Sequence, residues 1–168
     1  DRSWTVLSLL DWGTEYFKQK EVRNPRFSIE WLLSHVLEVK RLDLYLIFER
    51  PLHSAELERL RPMVQRRGKH EPLQYITGKV DFFGIELSVA SGVLIPRPET
   101  EELVEYILSS HDKDAPKKLI DIGTGSGCIA LAVKKERPDW EVWATDLSES
   151  ALRVAQQNGN ELRLQVHW

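Results

Sequence analysis

The chain has 168 residues, of which 42% are hydrophobic and 29% charged, a composition typical of one globular domain or two small ones. Its net charge of −3 provides no general attraction to nucleic acid. No apolar run is long enough to span a membrane. The single cysteine, Cys128, excludes an intrachain disulfide and favours a reducing compartment such as the cytoplasm. The five histidines lack metal-ligand spacing, so we expect no metal site.

Apolar residues recur at helical spacing through most of the first seventy positions. We expect one helix that includes Phe17 and a second that begins at Asn24-Pro25, with proline in the first turn. A short helix is predicted over 42–48, and a longer one with Ser54 as its N-cap. Pro62 should kink or divide that longer helix.

The pattern changes after Pro72. Segments 80–83 and 85–89 alternate around Gly84, which predicts a β-hairpin. A stiff segment, Pro96-Arg97-Pro98, precedes a further helix, and a polar link is predicted over 111–117. We therefore expect an α/β chain with a helical domain at 1–75, a hairpin linker at 76–98 and a nucleotide-binding domain at 99–168.

A glycine-rich turn joins a strand to a helix in the last domain. The strand ends at Asp121, and glycines follow at 123, 125 and 127. This layout is typical of a nucleotide-binding unit, in which glycine permits positive φ and a close approach of the ligand to the backbone. A dinucleotide fingerprint would place its third small residue at 128, where the chain has cysteine. The spacing therefore opposes a dinucleotide-dependent oxidoreductase.

A second acidic residue, Asp146, ends the next predicted strand, about 20 residues beyond the glycines. At that distance a carboxylate can accept hydrogen bonds from both hydroxyls of a ribose. Alternatively, Asp146 simply precedes Ser148, a candidate N-cap. A helix is predicted over 148–157 and a third strand over 162–166. Because a doubly wound sheet has about six strands, we expect only the first half of such a domain here.

Four segments together resemble one family: 71–78 (EPLQYITG), 81–84 (DFFG), 94–101 (LIPRPETE) and 121–127 (DIGTGSG). Their order and spacing are similar to those of the HemK/PrmC family, the N5-glutamine methyltransferases of peptide chain release factors. The resemblance implies a class I, Rossmann-like methyltransferase domain that uses S-adenosylmethionine. It also implies a cytoplasmic enzyme of translation termination, with the helical domain docking a release factor and with no nucleic acid or membrane partner.

The same resemblance implies the residues of the site. Those expected at the cofactor are Gly123, Thr124, Gly125, Ser126, Gly127, Asp146 and Trp168, with Trp168 beside the adenine. Those expected at the substrate are Phe82, Phe83, Arg97, Pro98, Glu99 and Thr100. Two alternatives stay open from the residues alone: the phenylalanines could form the hairpin core, and Glu99 and Thr100 could cap a helix.

One family motif is missing from the sequence. The catalytic signature Asn-Pro-Pro-Tyr does not occur, and Asn24-Pro25-Arg26-Phe27 is better explained as a helix start. We therefore assign no catalytic residue and expect the chain by itself to be inactive. A non-enzymatic binding module is the second alternative to the methyltransferase interpretation.

Overall fold

The computed structural model describes residues 4–111 and 115–168. Part of the polar link predicted over 111–117 lies outside these residues. The chain divides into two compact units, Asp1–Thr77 and Gly78–Trp168. Within the described residues, no helix combines the length and apolar character needed to cross a membrane.

The first unit is helical. Buried side chains of its three longest helices form the core, among them Leu10, Phe17, Ile29, Leu33, Leu60 and Val64. A Cβ atom added at Gly13 would lie 2.4 Å from Cγ1 of Ile29, so glycine allows the first two helices to pack closely. The elements are α1 (Val6–Gln19), α2 (Pro25–Leu37), a 3₁₀ helix (Arg41–Leu46), α3 (Ser54–Arg67) and α4 (Leu73–Thr77).

Three local predictions for this unit need correction. The segment predicted as an α-helix over 42–48 is the 3₁₀ helix Arg41–Leu46. Ser54 is the first residue of α3, and the Glu56 carboxylate accepts the amide hydrogen of the preceding His53. Pro62 does not divide α3, because Pro62 lies on the exposed side, where water can satisfy the carbonyl that proline leaves unbonded.

The second unit combines a hairpin, a parallel strand pair and three helices. Strands β1 and β2 are antiparallel, which confirms the predicted hairpin, and β3 and β4 are parallel, with Asp121 opposite Ala144. Phe82, Ile85 and Leu87 of the hairpin are buried in the core of this unit. The elements are β1 (Lys79–Phe82), β2 (Ile85–Ser88), α5 (Pro98–Ser109), β3 (Lys118–Ile122), α6 (Cys128–Glu136), β4 (Glu141–Thr145) and α7 (Glu149–Leu162).

The end of the chain differs from the prediction. Helix α7 continues to Leu162, so residues 159–161 are helical and do not form a connection. Arg163 ends the helix with φ 56°, and the Leu164 amide donates to the Gly159 carbonyl at 3.0 Å. The strand predicted over 162–166 is therefore wrong in its bounds, since pairing with β4 is a single parallel bridge between His167 and Trp143.

Candidate functional site

The glycine loop lies between β3 and α6, at the carboxyl end of the parallel strand pair. Gly123, Gly125 and Gly127 have φ values of 80°, 57° and 83°, a region that side chains disfavour. The amides of Gly123 and Thr124 both donate to the Thr145 carbonyl, at 2.8 and 2.9 Å. These two bonds fix the start of the loop against the end of β4.

The three glycines differ in what surrounds them. A Cβ atom at Gly123 or Gly125 would meet nothing within 4 Å, so open space lies beside the loop backbone there. A Cβ atom at Gly127 would lie 3.0 Å from Leu131 Cδ1 and 3.2 Å from Ala155 Cβ. The first two glycines therefore leave room for a ligand, whereas the third allows α6 and α7 to approach each other.

Asp146 follows β4 and contacts the glycine loop directly. Its Oδ2 accepts the Gly125 amide hydrogen at 2.8 Å, and its Oδ1 accepts the Ser148 amide hydrogen at 2.9 Å. Hydrogen bonds from Ser148 and Gly125 lower the pKa of Asp146, so the side chain is a carboxylate at neutral pH. Ser148 is also the N-cap of α7, as the alternative interpretation of this segment has it. The ribose contact of Asp146 stays a prediction.

Asp121, the penultimate residue of β3, is the second carboxyl group of the site. Burial raises the pKa of Asp121, and the nearby charge of Asp146 adds to the effect, while the Thr124 hydroxyl opposes it by donating a 2.7 Å hydrogen bond. Burial, together with the charge of Asp121, also raises the pKa of Cys128 to about 11. The thiol of Cys128 is therefore a neutral packing group at the start of α6.

This arrangement has the features of a nucleoside site. A carboxylate with unused acceptor positions lies next to a glycine loop with open space beside it. A ribose with two adjacent hydroxyls can donate to such a carboxylate, and the loop allows the rest of a ligand to approach the backbone. Among the described residues, no group of three His, Cys, Asp or Glu side chains is placed to bind a metal ion.

The residues predicted at the substrate lie in two places within the second unit. Phe82 is 1% exposed in the core, as the alternative interpretation has it, whereas Phe83 is half-buried at the hairpin turn. The other four residues lie at the start of α5. Arg97 is the N-cap residue, without a side-chain capping bond, and Pro98, Glu99 and Thr100 form the first turn. Their role in substrate binding stays a prediction.

Trp168, predicted beside the adenine, packs on α7. A Cβ atom at Gly159 would lie 2.9 Å from Cζ2 of Trp168. Trp168 also lines a cavity of about 440 Å³ together with Lys134, Asn160 and His167. The residues that line this cavity include none from the glycine loop. The adenine contact of Trp168 stays a prediction.

Sequence reasoning missed two residues that hold the hairpin in place. Oε1 of Glu101 accepts the Phe83 amide hydrogen at 3.0 Å and so supports the hairpin turn. Asn158, which is 1% exposed, bonds both to β2 and to the glycine loop. A signal for Asn158 does exist, because it continues the buried stripe of Ala151 and Ala155 on α7, where an amide is unexpected.

Models of known protein families match both units of the chain. A model described as "PrmC N-terminal domain" matches residues 8–78, and one described as "Methyltransferase small domain" matches residues 100–168. The glycine loop and Asp146 both fall within the second match. The α/β unit is therefore a methyltransferase-type domain.

Several bacterial proteins named "Release factor glutamine methyltransferase" are similar to the chain. The one from Geobacter sulfurreducens is 44% identical over 155 residues, which are 92% of this chain and 54% of that protein. The one from Chlorobaculum tepidum is 41% identical over 165 residues, 95% of this chain and 56% of that protein. The one from Coxiella burnetii is 45% identical over 139 residues, 83% of this chain and 50% of that protein.

The chain spans about half the length of the curated relatives that it matches. It carries a PrmC N-terminal domain and a methyltransferase domain in that order, and it belongs to the PrmC family. The comparisons give no support to the dinucleotide-dependent oxidoreductase or to the non-enzymatic binding module.

Proposed function

We propose that the chain supplies the cofactor loop of an S-adenosylmethionine-dependent methyltransferase that modifies a glutamine side chain of a peptide chain release factor. The contact between Asp146 and Gly125 carries this proposal, because it places a carboxylate suited to a ribose beside the open part of the glycine loop. The names of the similar proteins support the choice of a release factor as substrate.

The cofactor fits the residues of the loop. Gly123 and Gly125 border the open space, and Asp146 provides acceptors for the ribose hydroxyls. The other loop residues, Thr124, Ser126 and Gly127, are buried and support the loop from behind. S-adenosylmethionine supplies a methyl group on a positively charged sulfur, which makes that group open to attack by a nucleophile. The glycine loop would bind and orient this group through its backbone.

The substrate nitrogen makes a second demand. A glutamine amide is a weak nucleophile because its lone pair is delocalised into the carbonyl. An enzyme must therefore align the nitrogen with the methyl group and accept the amide hydrogens as charge develops on nitrogen. We assign no residue of this chain to that step. Phe83 and the segment 97–100 are our candidates for the wall of the glutamine pocket.

We further propose that the helical unit, Asp1–Thr77, docks the release factor. A separate helical unit in addition to a cofactor domain suits a protein substrate better than a small molecule. Release factors act in translation, so the proposed location is the cytoplasm, which agrees with the free thiol of Cys128.

Calorimetry tests the cofactor proposal. We expect the chain to bind S-adenosylmethionine and S-adenosylhomocysteine but not NADH. Asp146→Ala should weaken binding by about 1–3 kcal/mol, because it removes the acceptors for the ribose hydroxyls. Asp139→Ala is the matched control, since Asp139 is an exposed aspartate in the turn before β4. Equal affinity in the Asp146 variant, or preference for NADH, would contradict the proposal.

Addition of a bacterial release factor to the isotope-labelled chain tests the docking proposal. NMR shift changes should include amides of Asp1–Thr77. Shift changes confined to Gly78–Trp168 would reject docking by the helical unit and leave the cofactor proposal intact.

A further inference from the structure

The Asn158 side chain connects two parts of the second unit that are distant in sequence. Its Oδ1 accepts the Ser88 amide hydrogen at 2.7 Å, and its Nδ2 donates to the Ser88 carbonyl at 3.0 Å. The same Nδ2 donates to the Ser126 carbonyl at 2.9 Å. A single buried amide therefore bonds to the hairpin and to the glycine loop.

The two bonds to Ser88 complete the edge of the hairpin. The Val89 amide donates to the Gly78 carbonyl at 2.9 Å, across the hairpin. In an antiparallel pair, the neighbouring residue then turns its own amide and carbonyl away from the partner strand. Asn158 satisfies both of these groups, as the backbone of a further strand would.

The third bond holds the glycine loop at Ser126. Ser126 lies between Gly125 and Gly127, which both have positive φ. Ser126 itself is buried, with 2% of its surface exposed. A buried carbonyl that loses its donor is costly, because water cannot readily replace the bond. Asn158 therefore stabilises one conformation of the loop.

Only a short amide meets all three demands. An aspartate at 158 could accept from Ser88 but could not donate to two carbonyls, and an alanine could do neither.

We propose that Asn158 is a positioning residue that couples the β1–β2 hairpin to the glycine loop. A ligand bound at the loop then steadies the hairpin that carries Phe83, and the ordered hairpin raises ligand affinity to the same extent. The ligand half of this inference rests on the function proposed above.

Hydrogen exchange measured by NMR on the full chain tests the coupling without any ligand. The informative amide is that of Gly127, which donates to Thr124 inside the loop and does not touch Asn158 in the bonds described. Asn158→Ala should speed exchange at Ser88 and at Gly127 by about tenfold or more. Asn160→Ala is the matched control, since Asn160 is an exposed asparagine on the same helix, α7.

The unsubstituted chain gives a second ligand-free measurement, which stands even if Asn158→Ala does not fold. In increasing urea, the Ser88 and Gly127 amides should lose protection together, as one cooperative unit. Separate urea dependences in the unsubstituted chain, or faster exchange at Ser88 alone in the variant, would overturn the coupling.

Titration with S-adenosylhomocysteine separates positioning from simple stabilisation. In the unsubstituted chain, binding should slow exchange at Ser88. In Asn158→Ala, affinity should fall about tenfold, and Ser88 should no longer respond at saturation. Unchanged affinity, or a persistent response of Ser88 in the variant, would overturn the positioning role. If the unsubstituted chain binds no ligand, the proposed function fails, while the ligand-free measurements still decide the coupling.

Discussion

The Gly125 amide donates a 2.8 Å hydrogen bond to Oδ2 of Asp146, which lies 21 residues further along the chain. The bond joins the loop after β3 to the end of β4, the two places where a doubly wound sheet brings ligand-binding groups together. Asp146 therefore shapes the loop, and its charge state matters both for that contact and for the ribose contact proposed above.

Asp146→Asn should destabilise the second unit at neutral pH by about 1 kcal/mol, because an amide presents a donor towards one of the two backbone amides. The pKa of Asp146 is lowered in the fold, so its contribution is present above the ordinary value of 3.8 and is lost as pH falls through the folded-state pKa. Urea unfolding of the second unit, followed by NMR at pH 7 and pH 3, measures this. A difference that does not shrink at pH 3 would contradict the role of the charge.

Asp121→Asn should have the opposite effect. The pKa of Asp121 is raised by burial, so its contribution to stability is fully present below the ordinary value of 3.8 and is lost as pH rises through the folded-state pKa. Removing the buried charge should therefore stabilise the second unit by about 1 kcal/mol at pH 7, and less at pH 3. Asp139→Asn, at an exposed position, should change little. A destabilised Asp121→Asn would show that the Thr124 bond needs the charged acceptor.

The Cys128 thiol should react slowly with iodoacetamide. Its pKa of about 11, against an ordinary value of 9.0, lowers the thiolate fraction at pH 8 on the order of 100-fold. The same shift means that stability falls as pH rises from 9 towards 11, since the unfolded chain ionises first. Mass spectrometry of alkylation, with the urea-unfolded chain as control, checks the rate. Equal rates in the folded and unfolded chains would contradict the burial of the thiol.

Gly127→Ala should cost more than Gly92→Ala, although both glycines have positive φ, 83° and 93°. At Gly92 a methyl group meets nothing within 4 Å, so only backbone strain of about 1 kcal/mol is expected. At Gly127 the methyl group meets Leu131 and Ala155, which adds about 1–3 kcal/mol for overpacking between α6 and α7. Thermal unfolding of the two variants side by side measures the difference. Equal losses would mean that the helices can separate at little cost.

In the first unit, the Glu30 carboxylate is buried and accepts hydrogen bonds from Tyr45 at 2.6 Å, Arg41 at 2.7 Å and Arg26 at 3.0 Å. Burial alone would raise the pKa of Glu30, but these three donors outweigh it and lower the pKa. The network therefore stabilises the fold above the ordinary value of 4.5 and weakens as pH falls through the folded-state pKa.

Glu30→Gln should cost the first unit about 2–3 kcal/mol at pH 7, because charge-assisted bonds are lost. Glu58→Gln, at an exposed position of α3, is the control and should change little. Chemical denaturation followed by NMR signals of the first unit gives both values. An unaffected Glu30→Gln would mean that a neutral amide satisfies the same donors.

The sequence predicted elements best where the signal is local. The hairpin around Gly84 and the glycine loop after β3 depend on neighbouring residues, and both were predicted correctly. The end of α7 was placed five residues early because Gly159 suggests a turn, whereas packing against Trp168 keeps it helical. Pro62 likewise suggested a division of α3, which does not occur because Pro62 lies on the exposed side of the helix.

In the candidate site, too, the sequence predicts what depends on local patterns and misses what depends on packing between distant residues. The proximity of Asp146 to the glycines follows from parallel strands whose carboxyl ends share one edge, so the sequence could predict it. The contacts of Glu101 with Phe83 and of Asn158 with Ser88 join residues 18 and 70 positions apart. No local pattern encodes such pairs, because they depend on how helices pack against the hairpin.

The separation of 70 positions between Ser88 and Asn158 has a consequence during synthesis. At about 5–20 residues per second, the hairpin leaves the ribosome roughly 4–14 seconds before the residue that satisfies its edge. In that interval Phe82, Ile85 and Leu87 lack most of the core that later buries them. The helical unit consists of the first 77 residues of the chain, so it can fold before Asn158 has been synthesised. We therefore expect the nascent hairpin to expose these apolar side chains until the later residues of the core have been synthesised.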